Sequence, residues 1–579
     1  MDVRSTIRNT LALAAAGLTL TTAGLAAAPG MPAAATPASD APARPAAQVQ
    51  APVPELNWKP CEEGLEAFLC TTAEVPTDYD RPDGPTTTIA LTKLPATDPD
   101  ARIGTLFTNP GGPGGSGVDF VHTRGRTAYT DDVRAHFDIL GFDPRAVHRS
   151  DPATCYRTPE QEQRELARHP AFPVTAEEEN DYLGLNARLG ADCRRTSPER
   201  FAHSSTANVA RDMDLLRQAV GDEKLTYMGY SYGTLLGATY ARLFPGRVRA
   251  LALDGTVVPE DYTGRPGEET SSVGARMRQG HGAAETFDEF LRLCAEAGPR
   301  RCALAALGEP RTVVERTFDR LKDESVRIVT PNGTELVVDY PTAVALTFSG
   351  LYDPAAWTGL AGLLAQLATA EPQMTGAAAA LVEQVVPQRD RPPRRGADYA
   401  SVGGSLASLC VDGGTTGEPF AYPEMVDDVA ADAAHFGRYR AWVGVQCEFL
   451  RVTDEDAYVG PWDQQVDEPV LVIGTRYDPA TPYDGTSRYA AHFPDARTMT
   501  VEGYGHTVLG KSRCADRVIS NYLVRLDAPA DGSTCGQDVP PFQAPGARAR
   551  RPLTVPPLPP LIINGMPQHG VVLFHTPSS

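Results

Sequence analysis

A serine between two glycines, at the junction of an apolar strand and a helix, is the feature that most restricts the fold of this chain. The segment Gly229-Tyr230-Ser231-Tyr232-Gly233 follows a predicted strand at 225–229 and precedes a predicted helix at 232–242. Glycines allow the backbone to turn sharply, so that the serine hydroxyl points away from the end of a sheet. The pentapeptide alone also occurs in ordinary turns, but in this context it predicts a nucleophilic serine on a strained turn.

Short apolar strands alternate with helical segments before and after this turn. A helix that Thr206 can cap shows an apolar face at 3.6-residue spacing. The other predicted strands lie at residues 88–91, 104–108, 137–141, 248–253, 469–474 and 498–501. Because such alternation builds a mostly parallel sheet with helices on both faces, the sequence predicts the α/β class.

The stretch from about residue 261 to 440 has a different pattern. Helical periodicity dominates it, and one hairpin is predicted from 326–330 and 335–340 around an Asn-Gly turn. We therefore expect a mainly helical domain, inserted into the α/β core, that covers one end of the sheet.

The two ends of the chain differ in composition from a folded core. Residues 1–28 combine Arg4 and Arg8 with an uncharged apolar run and three alanines, which is typical of a secretory signal peptide; a short membrane anchor is the alternative. The Ala/Pro-rich residues 29–54 are predicted to be a linker or propeptide. The Pro-rich residues 537–579 are predicted to be a disordered or loosely docked tail.

Ten cysteines agree with export to an oxidising compartment. Sequence alone does not fix their connectivity, but local closure favours pairing between neighbours. The favoured pairs are Cys61–Cys70, Cys155–Cys193, Cys294–Cys302, Cys410–Cys447 and Cys514–Cys535. No C-x-x-C, zinc-ligand or H-E-x-x-H spacing occurs, so we expect no metal and no cofactor.

The balance of charges argues against two classes of partner. The chain has 73 acidic and 53 basic residues and a net charge of −20. Such a field repels nucleic acid and anionic lipid. Beyond the N-terminal segment no apolar run reaches the roughly 18 residues that a bilayer requires, so membrane insertion is not expected.

A nucleophilic serine needs a histidine base, and the base needs an acid to orient it. In strand–turn–helix hydrolases the chain order is serine, acid, histidine. His506 lies in a glycine-flanked loop after the predicted strand 498–501, and Asp478 follows the strand before it. Asp254, at the end of the strand after the serine turn, is the alternative acid, and Asp484 is better suited to capping a helix.

A glycine-rich loop follows the predicted strand 104–108. Its sequence, residues 109–117, is NPGGPGGSG. It lacks the lysine of a phosphate-binding loop, so a role in holding a substrate oxyanion is favoured over phosphate binding or a simple surface turn. The candidate donors are the backbone N–H groups of Gly112 and Tyr232.

Six motifs occur in an order typical of one enzyme family: NPGGPGGSG, FDILGFDPRAVHRS, GYSYGT, LDGTVVP, RYDPATP and GYGHT. Together they resemble the secreted tripeptidyl aminopeptidases of high-GC bacteria, which are α/β-hydrolases related to proline iminopeptidases. The resemblance covers residues 55–536. It implies an α/β-hydrolase core at 55–260 and 441–536, the second part being the family's TAP-like C-terminal segment, and a helical lid at 261–440.

The resemblance also implies a function. It implies a secreted serine peptidase that releases short peptides, such as tripeptides, from free N-termini, with Ser231, Asp478 and His506 as its catalytic triad. We expect it to need no cofactor, to act as a monomer and to bind neither nucleic acid nor membrane. Because some relatives are called carboxylesterases, an esterase or acyltransferase is the alternative, and a non-catalytic secreted binding protein is a remote one.

Two positions depart from the family pattern. The run after the third strand usually contains glycines, and here Ala146 and His148 occupy those places. The segment that often reads C-x-x-W-P is Cys447-Glu448-Phe449-Leu450 in this chain. These changes bear on the backbone near the site and on the pocket wall, and neither touches the triad.

An aminopeptidase must also hold the ammonium group of its substrate. A carboxylate does this best, because an unpaired buried cation is costly. Asp412 and Glu448 follow the two cysteines of one favoured pair and are the candidates; ordinary surface carboxylates are the alternative interpretation.

Overall fold

The computed structural model describes residues 51–265, 271–331, 333, 335–373, 376–385, 401–463, 465–542, 562–563 and 566–567. The predicted signal peptide at 1–28 and residues 29–50 of the predicted linker lie outside the described residues. So does most of the predicted tail beyond residue 542.

Ten strands form one twisted sheet at the centre of the α/β core. All strands of the described residues, numbered in chain order, are β1 Lys59–Pro60, β2 Leu69–Pro76, β3 Thr86–Leu94, β4 Gly104–Asn109, β5 Phe137–Phe142, β6 Leu225–Tyr230, β7 Val248–Asp254, β8 Val326–Val329, β9 Glu335–Val338, β10 Val470–Tyr477, β11 Ala496–Tyr504, β12 Ser533–Gly536, β13 Ile562–Ile563 and β14 Met566–Pro567. Strands β8 and β9, and strands β13 and β14, form two separate two-stranded sheets. The spatial order of the large sheet is β1-β2-β3-β5-β4-β6-β7-β10-β11-β12. Every neighbouring pair from β5 to β12 is parallel, and the pairs from β1 to β5 are antiparallel. The predicted mostly parallel sheet is confirmed.

Some helices pack on this sheet, and others form the long segment of the chain between β7 and β10. In chain order they are α1 Gly117–Arg124, α2 Asp131–His136, α3 Pro159–Leu166, α4 Ala176–Thr196, α5 Pro198–Ala202, α6 Thr206–Ala219, α7 Tyr232–Leu243, α8 Pro259–Thr263, α9 Val273–Arg276, α10 Gln279–Ala297, α11 Ala303–Leu307, α12 Pro310–Asp323, α13 Tyr340–Leu351, α14 Trp357–Thr369, α15 Gly376–Val385, α16 Val402–Asp412, α17 Tyr422–Asp432, α18 Phe436–Ala441, α19 Val445–Leu450, α20 Gly485–Ala490 and α21 Arg513–Arg525. Among the described residues, none of these helices is both long and apolar enough to cross a bilayer.

The central strands are covered on both faces. All residues of β4, β5 and β6 are buried, as a parallel sheet between two helical layers requires. Helix α6 begins at Thr206, but the side chain that caps it is the preceding Ser205, whose hydroxyl accepts from the amide of Asn208. Sequence reasoning assigned the cap to Thr206, whose hydroxyl instead donates to the carboxylate of Asp412.

The helices from α8 to α19, with the hairpin β8–β9, form the helical insert between β7 and β10. The insert has its own aromatic core, which includes Phe287, Phe290, Phe318, Trp357 and Trp442. Trp442 and Val445, which lie beyond the predicted end of the insert at residue 440, also pack into this core.

The predicted hairpin of the insert is present and shorter than expected. Its second strand ends at Val338, because Asp339 caps α13 by accepting a hydrogen bond from the amide of Thr342 at 2.9 Å. Asn332 and Thr334 of the predicted turn lie outside the described residues.

All five favoured disulfides are confirmed, and no free cysteine occurs in the part of the chain that the structure describes. The Cys410–Cys447 bond joins α16 to α19 within the insert, and Cys514–Cys535 joins α21 to the edge strand β12. Such cross-links are typical of proteins that fold in an oxidising compartment.

A buried ion pair joins the antiparallel edge of the sheet to α6. Arg145 is 2% exposed, and its guanidinium donates to both carboxylate oxygens of Asp212 at 2.6 and 2.8 Å. It also donates to the carbonyls of Pro76, Thr77 and His203 at 2.8–2.9 Å. The charge is thus fully hydrogen-bonded where it is buried, which such a pair needs in order to be tolerated.

We expect Arg145→Met to lower the free energy of unfolding by about 3–5 kcal/mol, because it leaves the carboxylate of Asp212 buried without its cation. Guanidinium denaturation with the disulfides intact measures this change. Arg311→Met is the control, since its partner Asp288 is exposed, and it should change stability by less than about 1 kcal/mol. Equal midpoints for the two variants would contradict the prediction.

Candidate active site

Ser231 occupies a strained turn between β6 and α7. Its backbone has φ 56° and ψ −127°, a left-handed conformation that side chains rarely adopt and that costs about 1–3 kcal/mol. Its amide donates to the carbonyl of Asp254 at 2.9 Å, and its carbonyl accepts from the amide of Thr234 at 2.8 Å. These bonds to β7 and to the first turn of α7 hold the predicted turn in place.

The glycines on both sides of Ser231 are required by close packing. A Cβ atom on Gly229 would lie 2.5 Å from the carbonyl oxygen of Gly233, and one on Gly233 would lie 2.8 Å from the carbonyl oxygen of Asn109. Such contacts leave no room for any side chain. The two glycines thus let α7 start directly against β6 and β4.

Asp478 and His506 form a hydrogen-bonded pair. Asp478 follows β10, and His506 follows the neighbouring parallel strand β11, so both lie at the carboxyl edge of the sheet. The Nδ1 atom of His506 lies 2.9 Å from each carboxylate oxygen of Asp478. This contact leaves the Nε2 atom as the ring nitrogen available for proton transfer.

The carboxylate of Asp478 is buried and stays ionised. Its oxygens also accept from the amides of Ala480 and Thr481 at 2.8 and 2.9 Å and from the hydroxyl of Thr481 at 3.0 Å. Burial alone would raise the pKa of Asp478, but the ring of His506 and these donors hold it below its ordinary value. A charged carboxylate at this position can orient and stabilise an imidazolium.

The histidine ring lies beside Gly255, which follows the residue that binds the serine turn. The amide of Ser231 is bonded to the carbonyl of Asp254, and the next residue is Gly255. A Cβ atom on Gly255 would lie 3.2 Å from Cε1 of His506 and 3.1 Å from the hydroxyl of Thr481. The fold thus brings Ser231, Asp478 and His506 to one edge of the sheet.

The two alternative acids make no hydrogen bond to His506 among the described contacts. Asp254 is fully buried and accepts from the amide of Val508 at 2.8 Å. With one donor only, burial raises its pKa to about 7. Asp484 precedes α20 without capping it and instead pairs with Arg278.

The glycine-rich loop after β4 lies directly on the serine turn. A Cβ atom on Gly111 would come within 2.8 Å of Cβ of Ser231 and 3.0 Å of the amide nitrogen of Tyr232. Gly111 and Gly112 have φ values of 89° and 121°, which glycine adopts without strain. The loop therefore places Gly111, the residue before the candidate donor Gly112, against the start of α7.

The loop after β5 contains the two residues that replace expected glycines. Ala146 and His148 both have left-handed backbones, with φ values of 68° and 47°. Asp143 organises this loop, since it accepts from the amide of Arg149 at 3.1 Å and from the hydroxyl of Ser116 at 2.5 Å. Burial disfavours a charged His148, but the adjacent carboxylate of Asp143 raises the pKa of His148 above its ordinary value. Backbone geometry suited to glycine thus survives both substitutions.

The two candidate ammonium ligands have different surroundings. One oxygen of Asp412 accepts from the amide and hydroxyl of Thr206 at 2.8 and 2.6 Å, and that hydroxyl also contacts the hydroxyl of Tyr232. The other oxygen of Asp412 is buried with no partner among the described residues, and burial raises the pKa of Asp412 to about 7.

Glu448 is occupied by the backbone of its own neighbourhood. Its carboxylate accepts from the amides of Thr416 and Gly417 at 2.6 and 3.0 Å and contacts the hydroxyl of Tyr422. Cys410–Cys447 joins the two elements that carry Asp412 and Glu448, yet their carboxylates bind different groups. Glu448 thus holds the loop after α16.

Sequence reasoning missed two residues beside His506. Tyr352, at the end of α13 in the insert, accepts a hydrogen bond from the amide of His506 at 2.9 Å, and its ring meets the imidazole edge to face with centroids 5.1 Å apart. Lys511 donates to the carbonyl of His506 at 2.6 Å. No sequence pattern links Tyr352 to His506, and the only signal for Lys511 is its place five residues after the histidine.

We expect Asp478→Asn to slow labelling of Ser231 by a fluorophosphonate about 10⁴-fold, the loss that this change causes in a trypsin-type triad by imposing the wrong imidazole tautomer. Asp254→Asn is the matched control. Its amide oxygen can still accept from Val508, so labelling should slow by less than about tenfold. Second-order labelling rates measure both effects, and the reverse ranking would make Asp254 the acid.

The chain matches known proteins along most of its length. A family model described as alpha/beta hydrolase fold matches residues 104–304, and one described as TAP-like protein matches residues 432–535. Serine protease Hip1 of Mycobacterium tuberculosis is 32% identical over 506 residues, covering 83% of this chain and 91% of that protein.

Two further relatives have other names. Carboxylesterase B of Mycobacterium tuberculosis is 31% identical over 526 residues, covering 87% of this chain and 95% of that protein. Tripeptidyl aminopeptidase of Streptomyces coelicolor is 27% identical over 495 residues, covering 83% of this chain and 86% of that protein. The expected fold and the expected enzyme class, a serine hydrolase, are confirmed. The chain belongs to the α/β-hydrolase family and carries its TAP-like C-terminal segment.

Proposed function

We propose that this protein is a secreted serine peptidase that releases short peptides, such as tripeptides, from free N-termini. The observation that carries the proposal is the hydrogen-bonded Asp478–His506 pair, which follows β10 and β11 at the edge of the sheet where Ser231 occupies its strained turn after β6. The proposal includes Ser231, Asp478 and His506 as the catalytic triad.

The reaction begins when Nε2 of His506 takes the proton of Ser231 and the serine oxygen attacks the scissile carbonyl carbon. The ionised Asp478 holds the imidazole through Nδ1 and stabilises the imidazolium that forms. His506 then gives the proton to the leaving amine, which leaves an acyl-enzyme on Ser231. A water molecule, deprotonated by the same ring, hydrolyses this ester.

The amides of Gly112 and Tyr232 are the proposed donors to the oxyanion. Both belong to backbone that other contacts hold rigidly, since the glycine-rich loop packs on the serine turn and Tyr232 begins α7. Donors that are fixed before the reaction stabilise the developing charge without reorganisation, and each contributes about 10²–10³ in rate.

Asp412 is the proposed ligand of the substrate ammonium group. Its carboxylate accepts from the hydroxyl of Thr206, and that hydroxyl also contacts the hydroxyl of Tyr232. Its other carboxylate oxygen has no partner among the described residues. Glu448 also remains a candidate from sequence, but its oxygens already accept from backbone amides. A carboxylate with a vacant oxygen is the better acceptor for an ammonium group.

The proposal also covers the localisation and the oligomeric state of the protein. Five disulfides fit an oxidising compartment, and with the predicted signal peptide at 1–28 they support secretion. We propose a monomer as the active form, because all three triad residues come from one chain.

A carboxylesterase is the second candidate, because a relative of that name covers 87% of this chain and an acyl-enzyme serves esters as well as amides. A panel of Ala-Pro-Ala-p-nitroanilide, its N-acetylated form, Pro-p-nitroanilide and short acyl nitrophenyl esters separates the two. We expect fast turnover of the free tripeptidyl anilide and at least about 100-fold slower turnover of the acetylated form.

Ser231→Ala is the control for this panel and should abolish both activities. Ester turnover without cleavage of any free-N-terminal anilide would establish the esterase. Full activity of the Ser231→Ala variant would exclude the triad altogether.

The ionisation of Asp412 predicts how KM of the proposed peptidase depends on pH. Its carboxyl ionises as pH rises through about 7, and the substrate amine loses its charge above about 8, so KM for a free tripeptidyl anilide should pass through a minimum between these values. Asp412→Asn should raise KM about 10- to 100-fold and remove this minimum. Turnover of a nitrophenyl ester, which has no amine, should change little; an equal loss on the ester would show that Asp412 only supports Tyr232.

A further inference from the structure

Lys511 is a buried lysine between the helical insert and the loop of His506. It is 8% exposed, and its Nζ donates to the carbonyls of Tyr352 at 3.2 Å, His506 at 2.6 Å and Thr507 at 2.9 Å. Three acceptors use all three protons of an ammonium group. One of these acceptors belongs to the insert and two belong to the histidine loop.

The backbone amides of the histidine loop are bound by acceptors from separate parts of the chain. The pairs are Gly505 to the carbonyl of Tyr477 (2.8 Å), His506 to the carbonyl of Tyr352 (2.9 Å), Thr507 to the carboxylate of Asp478 (3.2 Å) and Val508 to the carboxylate of Asp254 (2.8 Å). Only the acceptor for His506 itself comes from the insert. The catalytic residue of the loop is therefore the one that depends on how the insert is docked.

The insert and the loop are in contact at Gly505. A Cβ atom there would lie 2.4 Å from the carbonyl oxygen of Tyr352, 2.8 Å from Cδ of Pro354 and 3.0 Å from Nζ of Lys511. The backbone of Gly505 also has φ 84°. Glycine is needed here so that the 352–354 segment can approach the loop closely enough for both bonds to the Tyr352 carbonyl to form.

We propose that Lys511 is a positioning residue that joins the helical insert to the histidine loop, so that His506 is held in register with Ser231 only while the 352–354 segment is docked. The inference rests on the proposed role of His506 as the base. It gives the insert a part in assembling the catalytic group, in addition to covering the site.

The charges around Lys511 fit this role. The carboxylates of Asp353 from the insert, Asp478 after β10 and Asp254 after β7 all face its ammonium group, and His506 lies beside it. Burial lowers the pKa of Lys511, and the three carboxylates oppose that shift. Removing the cation takes a positive charge from beside the site, so the pH midpoint of Ser231 labelling should move to higher pH.

The test is Lys511→Met in the full secreted chain, because methionine has a similar length and no donor. The readouts are the rate of Ser231 labelling by a fluorophosphonate as a function of pH and the hydrogen exchange of α13 and the 352–354 segment. We expect labelling to slow about 10- to 100-fold, as for a catalytic group displaced by about 1 Å, with a midpoint at higher pH and faster exchange in that segment. Lys511→Arg, which keeps a charged donor, should recover most of the rate and the midpoint.

Two further variants make the outcome unambiguous. Lys322→Met changes an exposed lysine of the insert that pairs with Asp319, and it should label like the wild type. Gly505→Ala keeps Lys511 but forces the insert away, so it should reproduce the slow labelling even if Lys511→Met fails to fold. A wild-type rate and pH midpoint in either Lys511→Met or Gly505→Ala would overturn the inference, whereas undiminished labelling of Ser231→Ala would instead overturn the proposed function.

Discussion

The parallel pairing of β6, β7, β10 and β11 is the constraint on which the site depends. In parallel strands the carboxyl ends lie at the same edge, so the residues that follow β6, β10 and β11 lie at one edge although 275 positions separate Ser231 from His506. Ser231 and Asp478 are the first residues after their strands, and His506 is the second residue after its strand. The central strands are buried along their length, which keeps this edge rigid, and the strained serine turn persists because the sheet fixes both of its ends.

Buried carboxylates near this edge differ in charge because they differ in donors. Asp478 accepts from the ring of His506, two amides of its own turn, the hydroxyl of Thr481 and the amide of Thr507, and these hold its pKa below the ordinary value. Asp254 accepts from one amide, and its pKa rises to about 7. Burial is similar for both, so the adjacent imidazole of His506 and the number of hydrogen-bond donors decide which carboxylate stays ionised. The alternative acid is thus disfavoured by its surroundings.

The helical insert contributes directly to the hydrogen bonds of the histidine loop. Its Tyr352 supplies the acceptor for the amide of His506, and Lys511 joins the two through that same carbonyl. Buried backbone groups must be hydrogen-bonded, so a loop that takes one acceptor from another domain cannot keep its full set of bonds without that domain. The insertion is therefore tied to the histidine loop through backbone hydrogen bonds and a charged side chain.

Sequence by itself determined the parallel core, the serine turn and the acid and histidine candidates, and it favoured the five disulfide pairs that the structure contains. Each of these rests on local periodicity, on glycines demanded by close packing, or on short-range closure, and such signals lie within a few residues of the feature they predict. The tertiary structure decided what bonds each carboxylate makes, why left-handed Ala146 and His148 are tolerated, and where the insert ends. It alone revealed Tyr352 and Lys511 beside the histidine, because contacts between distant segments depend on the packing of whole elements, which no local pattern records.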